Sequence, residues 1–300
     1  MKTHHKIIFG NCMSMVELAD ESVHLMVTSP PYFNAPFDYQ GLFESYGQFL
    51  GVLRKFAREL FRVLKNGRIA AINIDDMLVD GTKYPIIADT IKIFQEVGFR
   101  YRDKITWKKP DGYLRISRRS GVLLQNPYPM YFYPDNLLES IIIFQKGKFN
   151  YRSIPQNIRQ LSKVDTKEFQ QNKWYMTLWE MTNVLPGSPL EKNIAAFPEE
   201  LPYRIIKLFS YVGETVLDPF LGSGTTMKVA RKLNRNSVGY EIIRDLENII
   251  RKKTGFDGSN NSFNQDDKLE IFERSNGKYR FVRMEYIEQK KTKVTKSGNY

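Results

Sequence analysis

Apolar residues at Phe49, Leu50, Leu53, Phe56, Ala57, Leu60, Phe61 and Leu64 recur at helical spacing, and Lys65-Asn66-Gly67 follows as a C-terminal stop. A strand over Arg68 to Ile74 comes next. Ile86, Ile87, Thr90, Ile91 and Phe94 repeat the helical pattern ahead of Gly98, and Arg100 to Trp107 reads as another strand. Short apolar runs at Ser22 to Val27, Glu214 to Leu217 and Ser237 to Tyr240 also have strand character, and Thr225 to Leu233 continues as a helix. This alternation predicts an α/β fold, a doubly wound, largely parallel sheet covered by helices on both faces. The rhythm breaks between 111 and 136, where Pro127, Pro129 and Pro134 lie among aromatics, resumes in the apolar strand Ile141 to Phe144, and is lost again in the polar, aperiodic stretch 146 to 175.

Candidate chemistry falls where two of these strands end, the place where open α/β sheets bind ligands. After Val27 the chain reads Thr28-Ser29-Pro30-Pro31-Tyr32. Pro30 and Pro31 have no N–H, fix φ and hold the residue before each in an extended conformation, so nearby carbonyls are presented rigidly. The Ser29 hydroxyl and one such carbonyl can accept the two N–H bonds of an exocyclic base amine, and Tyr32 offers a face for stacking on an extruded base. An ordinary proline turn is the competing reading of so short a motif.

The second strand end carries Leu217-Asp218-Pro219-Phe220-Leu221-Gly222-Ser223-Gly224-Thr225-Thr226. Gly222 and Gly224 allow a tight turn and close backbone approach to a ligand. Glu241 ends the following strand 19 residues after Gly222, the distance at which an acid holds ribose hydroxyls in nucleoside-binding α/β units. No lysine stands where a phosphate-binding loop needs one, and Met227 replaces the third glycine of a dinucleotide loop. A nucleoside without phosphates is favoured, S-adenosyl-L-methionine being the candidate.

With these two motifs the chain resembles the amino-specific DNA methyltransferases, in the β arrangement where the catalytic motif precedes the cofactor motif. The resemblance spans roughly residues 6 to 253 and includes Trp107-Lys108-Lys109-Pro110, Glu139 to Phe144 and Phe197-Pro198. It implies a Rossmann-like methyltransferase sheet, circularly permuted, with the catalytic half at 1–110, target-recognition insertions at 111–190 around a strand at 139–145, and the cofactor half at 191–253. A basic extension, 254–300, follows. Ser29, Pro30, Pro31 and Tyr32 would be catalytic; Asn11, Phe197, Asp218, Phe220, Gly222, Ser223, Gly224, Thr225, Thr226 and Glu241 would bind S-adenosyl-L-methionine. Two positions depart from the family: Asn11 stands where Asp is usual, and Asn193 where His is usual. Serine at the first clamp position mostly accompanies N4 of cytosine in that family, whereas Asp or Asn mostly accompanies N6 of adenine. An RNA or protein methyltransferase on the same sheet, and a silent nucleic-acid-binding subunit, stay open as alternatives.

Charge narrows the partners. The net charge is +12, and residues 108 to 175 hold 12 Lys and Arg against 5 Asp and Glu. There the basic residues interleave with Tyr113, Tyr128, Tyr131, Tyr133, Tyr151 and Trp174, a mixture suited to phosphate contacts and base stacking. Lys108, Lys109, Arg115, Arg118 and Arg119 are the candidate DNA contacts, to double-stranded DNA, and a restriction–modification role would add a cognate restriction endonuclease as partner. The aromatic cluster at 128–133 reads equally well as core packing, and the tail Lys290-Lys291-Thr292-Lys293 as a solvated face. No apolar run reaches membrane-spanning length, Met1 to Lys6 lacks a signal-like apolar region, and one cysteine with three histidines disfavours disulfides and metal. These features predict a cytoplasmic protein without membrane or metal partners. Cys12 lies outside the Pro-Cys context that C5-cytosine chemistry uses.

Overall fold

The computed structural model describes residues 1–35, 41–110, 118–132, 134, 136–182, 197–258, 263–264, 266–275 and 278–286, with 118–121, 275 and 278–286 as backbone only. The elements in chain order are β1 (His4–Phe9), β2 (Val23–Thr28), α1 (Tyr46–Val63), β3 (Leu64–Ile74), a small hairpin of β4 (Met77–Val79) and β5 (Thr82–Tyr84), α2 (Ile86–Val97), β6 (Arg100–Lys108) and α3 (Arg118–Gln125). They continue with β7 (Leu138–Gln145), α4 (Gln156–Leu161), α5 (Thr166–Gln171), β8 (Leu178–Glu180), α6 (Glu200–Phe209), β9 (Thr215–Asp218), α7 (Thr225–Lys232), β10 (Asn236–Glu241), α8 (Glu247–Thr254), β11 (Lys268–Ser275) and β12 (Lys278–Tyr286).

Ten strands form one sheet in the order β12-β11-β1-β10-β9-β2-β3-β7-β6-β8. From β11 through β3 neighbours run parallel; β7 is antiparallel to both β3 and β6. The central strands are apolar at successive positions because helices cover both faces. Met26, Ala70, Ile72 and Phe144 pack under α1 and α2. Leu25, Val27, Ala71 and Ile143 face the opposite way, under α6 and α7. A third cluster, Ile7, Phe9, Leu221, Met227, Ile250 and Ile271, joins α7 and α8 to the β1 side.

The local signals map onto these elements with informative shifts. Ser45 caps α1 by accepting from Gln48 N–H at 3.1 Å, and α1 buries Phe49, Leu53, Phe56, Ala57, Leu60 and Val63. Its stop at 65–67 does not act as a separate turn, because β3 already starts at Leu64. Gly67 sits within that strand at φ +82°, where a Cβ would lie 2.6 Å from Phe149 Cα, so only glycine fits. Gly98 closes α2 at φ +116°, its N–H reaching the carbonyls of Gln95 and Phe94.

Three parts were not anticipated. The aperiodic stretch 146–175 contains α4 and α5, each six residues long and thus too short to show helical periodicity. β8 pairs beside β6 at the sheet edge. Past residue 253 the chain does not simply trail away: β11 pairs in parallel with β1, and β12 pairs with β11. Leu269 and Ile271 bury one face of β11, and the buried Arg231–Asp267 pair at 2.8 Å, with Thr3 N–H to Asp267 Oδ1 at 2.8 Å, fastens its start to α7 and the amino terminus. The tail 290–293 lies outside the described residues.

Candidate active site

β9 hands the chain through α7 to β10 on one side, and β2 hands it through α1 to β3 on the other, so the strand order reverses between β9 and β2. A crevice at the carboxyl ends of such a pair is where doubly wound sheets bind ligands. The two sequence motifs meet there. Thr28 Oγ1 donates to Asp218 Oδ1 at 2.6 Å across the reversal, linking residues 190 apart in the chain.

Asp218 also accepts from Phe220 N–H at 3.2 Å. Its burial, with 3% of its surface exposed, pushes the carboxyl up to about 7. The loop turns through Gly222 at φ +52° and Gly224 at φ +89°. At Gly224 a Cβ would come within 3.1 Å of Ile250 and 3.2 Å of Thr254, so the glycine also lets α8 approach α7. The Phe220 ring packs edge-on against Phe56 of α1. Ser223 Oγ accepts from Lys253 Nζ at 2.8 Å, and Thr225 and Thr226 are buried in the first turn of α7.

Glu241 closes the loop from the next strand. Its carboxylate accepts from the N–H groups of Gly222 at 2.8 Å, Ile242 at 2.8 Å and Ile243 at 2.9 Å, while burial raises its pKa. Asn11 lies one strand further, after Gly10, whose N–H donates to the Glu241 carbonyl at 2.8 Å; the Asn11 side chain is exposed and accepts from Met13 N–H. Phe197 is half-buried against the core beneath α6, beside buried Pro198. Asn193 lies outside the described residues. The acceptor set suits a nucleoside bearing a cation: two carboxylates at adjoining strand ends, neither in an ion pair among the described residues, fit a ribose diol and a sulfonium better than phosphates.

The clamp leaves β2 directly. Pro30 is buried and Ser29 is half-buried. The Tyr32 ring packs against the α1 and α2 core instead of standing free. Its hydroxyl accepts from Ser29 Oγ at 3.5 Å and from Asn73 Nδ2 at 3.3 Å, and donates to Glu139 Oε2 at 3.0 Å. Asn73 donates to the same carboxylate at 2.5 Å, and Lys109 Nζ pairs with its other oxygen at 2.5 Å. Burial and the Glu139 charge push the Tyr32 phenol upward, so it stays neutral. Nearby Asp75 accepts from Asn136 and is raised by burial.

Asn73, Asp75 and Glu139 were not anticipated as site residues. Their signal was present: polar groups at the ends of strands that are otherwise apolar. The candidate DNA contacts are dispersed. Lys109 sits in this cluster, its ammonium also over the Trp107 ring, rather than on an open face. Lys108 is partly exposed near Glu180. Arg118 and Arg119 open α3, and Arg115 lies outside the described residues, as do Tyr113 and Tyr133. Tyr128, Tyr131 and Tyr151 are exposed, whereas Trp174 is buried among Phe169, Tyr203 and Arg204 and cannot stack on a base in this arrangement. Among the described residues no helix is long and apolar enough to cross a membrane, and no group of His, Cys, Asp and Glu is arranged to hold a metal.

A family model described as DNA methylase matches residues 23–252. The type II methyltransferase M.MjaI of Methanocaldococcus jannaschii is 36% identical over 285 residues, covering 84% of this chain and 92% of the relative. Among solved structures, TTHA0409 of Thermus thermophilus complexed with S-adenosyl-L-methionine superposes with a TM-score of 0.69 at 27% identity, covering 90% of this chain and 99% of that one. The cytosine-N4-specific PvuII DNA methyltransferase shares the fold, with a TM-score of 0.62 at 18% identity over 88% of this chain and 89% of that one.

Proposed function

The chain belongs to the N6/N4 DNA methylase family and is an S-adenosyl-L-methionine-dependent DNA methyltransferase; we propose that it methylates the exocyclic N4 of a cytosine swung out of the duplex, at a specific site. The observation that supports this target is Ser29, a hydroxyl rather than a carboxylate or amide, next to the Thr28 that is bonded to Asp218 of the cofactor loop.

When bound, the cofactor supplies an electrophilic sulfonium methyl group. The residues of this chain do the rest by holding and orienting. Glu241, with its carboxylate fixed by three backbone N–H groups, retains lone pairs for the ribose hydroxyls. Asp218, once ionised as pH rises through about 7, gives the buried crevice a negative charge that favours a cation. Ser29 Oγ and a carbonyl held by the prolines accept the amine N–H groups, drawing the nitrogen lone pair out of the ring for in-line attack. The leaving group would be a neutral thioether, and the methylated nitrogen would shed its extra proton to water, so orientation matters more than a strong base. The Tyr32, Asn73, Glu139 and Lys109 network braces the clamp from three other strand ends, keeping Ser29 in one geometry.

A type II relative supports a restriction–modification role in the cytoplasm, where a cognate endonuclease would share the methylated site. Digestion of DNA from an expressing, otherwise methylation-free host tests the target. N4-methylcytosine is expected; N6-methyladenine in its place would overturn cytosine as the target, and single-molecule sequencing of the same DNA reads the site.

A further inference from the structure

Between Asp111 and Asp135 the chain holds three arginines and no acidic residue. Within this stretch α3 gives way to a turn in which Tyr128 N–H bonds Asn126 O at 2.7 Å and Tyr131 N–H bonds Tyr128 O at 3.4 Å. At its tip Met130 has φ +77°, a left-handed conformation that a non-glycine side chain rarely adopts. That side chain is 91% exposed, and Phe132, Tyr128 and Leu124, within six residues of it in the chain, are 68%, 65% and 69% exposed. Large apolar side chains left in water along one short stretch, one of them on strained backbone, mark an interaction surface.

The location narrows the partner. Downstream, residues 136–139 tie the chain to the strand ends around the clamp: Asn136 bonds Asp75, Lys109 N–H bonds the Leu137 carbonyl at 3.1 Å, and Glu139 accepts from the Tyr32 hydroxyl of the clamp itself. The absence of acids among its arginines suits a polyanion. Extruding a base leaves an apolar gap between stacked neighbours, and methionine and phenylalanine are side chains that proteins insert between base steps. Resting on the DNA methyltransferase reading above, we propose that Met130 and Phe132 form a wedge that enters the duplex and fills the space vacated by the target base.

The test compares two DNA substrates in single-turnover methyl transfer: a paired duplex, and the same duplex with an abasic position opposite the target, where extrusion costs less. Met130→Gly removes the side chain while relaxing the positive φ, so the fold is retained; Phe132→Ala is the second variant. Each should lose about tenfold or more on the paired duplex and stay within about threefold of wild type on the abasic duplex. Equal losses on both duplexes, or no loss on the paired one, overturn the wedge while leaving the methyltransferase reading standing. Failure of the wild type to methylate either duplex overturns both. Dissociation of a dimer by Met130→Gly in gel filtration would assign the patch to a second copy of the chain and overturn the wedge.

Discussion

Replacing Asp218 by Asn should stabilise the protein without cofactor and weaken cofactor binding at the same time. The carboxyl is buried between β9 and β2 and stands at about 7 against an ordinary 3.8, so ionising it costs about 4 kcal/mol more in the folded chain than in the unfolded one. Because the folded pKa is raised, the folded state binds more protons between about pH 4 and pH 7. Stability therefore falls as pH rises through that window, and the penalty is complete above about pH 7. Asparagine cannot ionise, yet its Oδ1 can still accept from Thr28 Oγ1 and Phe220 N–H. Between pH 5.5 and pH 8 the wild type should lose about 2 kcal/mol relative to Asp218→Asn, a gap of a few degrees in melting temperature that widens with pH. Thermal melts of both proteins across that range measure it. Melting curves that keep a constant separation from pH 5.5 to pH 8 would refute the claim that Asp218 is held above its ordinary range. Calorimetry on the same variant should show weaker S-adenosyl-L-methionine binding, since the charge that costs stability is the one that favours a cation. Such a trade between stability and function is common at binding sites.

Ser29→Ala should reduce single-turnover methyl transfer by about a hundredfold or more while leaving cofactor affinity unchanged, because it removes an acceptor used at the reacting nitrogen. Parallel rate and calorimetric measurements decide it; a matching loss of cofactor affinity would count against the clamp. Glu241→Ala should weaken cofactor binding by about 1 to 3 kcal/mol for each ribose hydrogen bond removed, and an unchanged affinity would remove Glu241 from the site. Neutralising Arg115, Arg118 and Arg119 together should flatten the plot of log DNA affinity against log salt, by somewhat under one unit for each phosphate that these arginines neutralise. The parent slope retained in that variant would place the DNA face elsewhere.

What was legible in the sequence was local. Glycines at 222 and 224, an acid 19 residues after the first, and two prolines behind Ser29 each carry their meaning within a few residues. Backbone geometry and hydrogen-bonding chemistry at a strand end are set there. Alternating helical and apolar runs gave the layered sheet for the same reason: side-chain periodicity is a property of one element at a time. Pairing was not legible in this way. That β9 lies against β2, so that Thr28 bonds Asp218, is decided by which strands share a sheet. Asn73, Lys109 and Glu139 come from β3, the chain just past β6, and β7, and nothing in the neighbours of any one of them indicates that the three meet. Only the β3-β7-β6 order joins them around Tyr32 and turns Lys109 from a free surface charge into the partner of Glu139. Trp174 shows the same limit, since its burial against Tyr203 comes from packing on α6. β11 shows it too: Leu269 and Ile271 alternate with charged residues in a basic stretch, and their burial depends on β1, more than 250 residues away in the chain. An amino acid's type states what it can bond to, but the free energy of burial and pairing depends on distant residues, and only the folded chain brings those together.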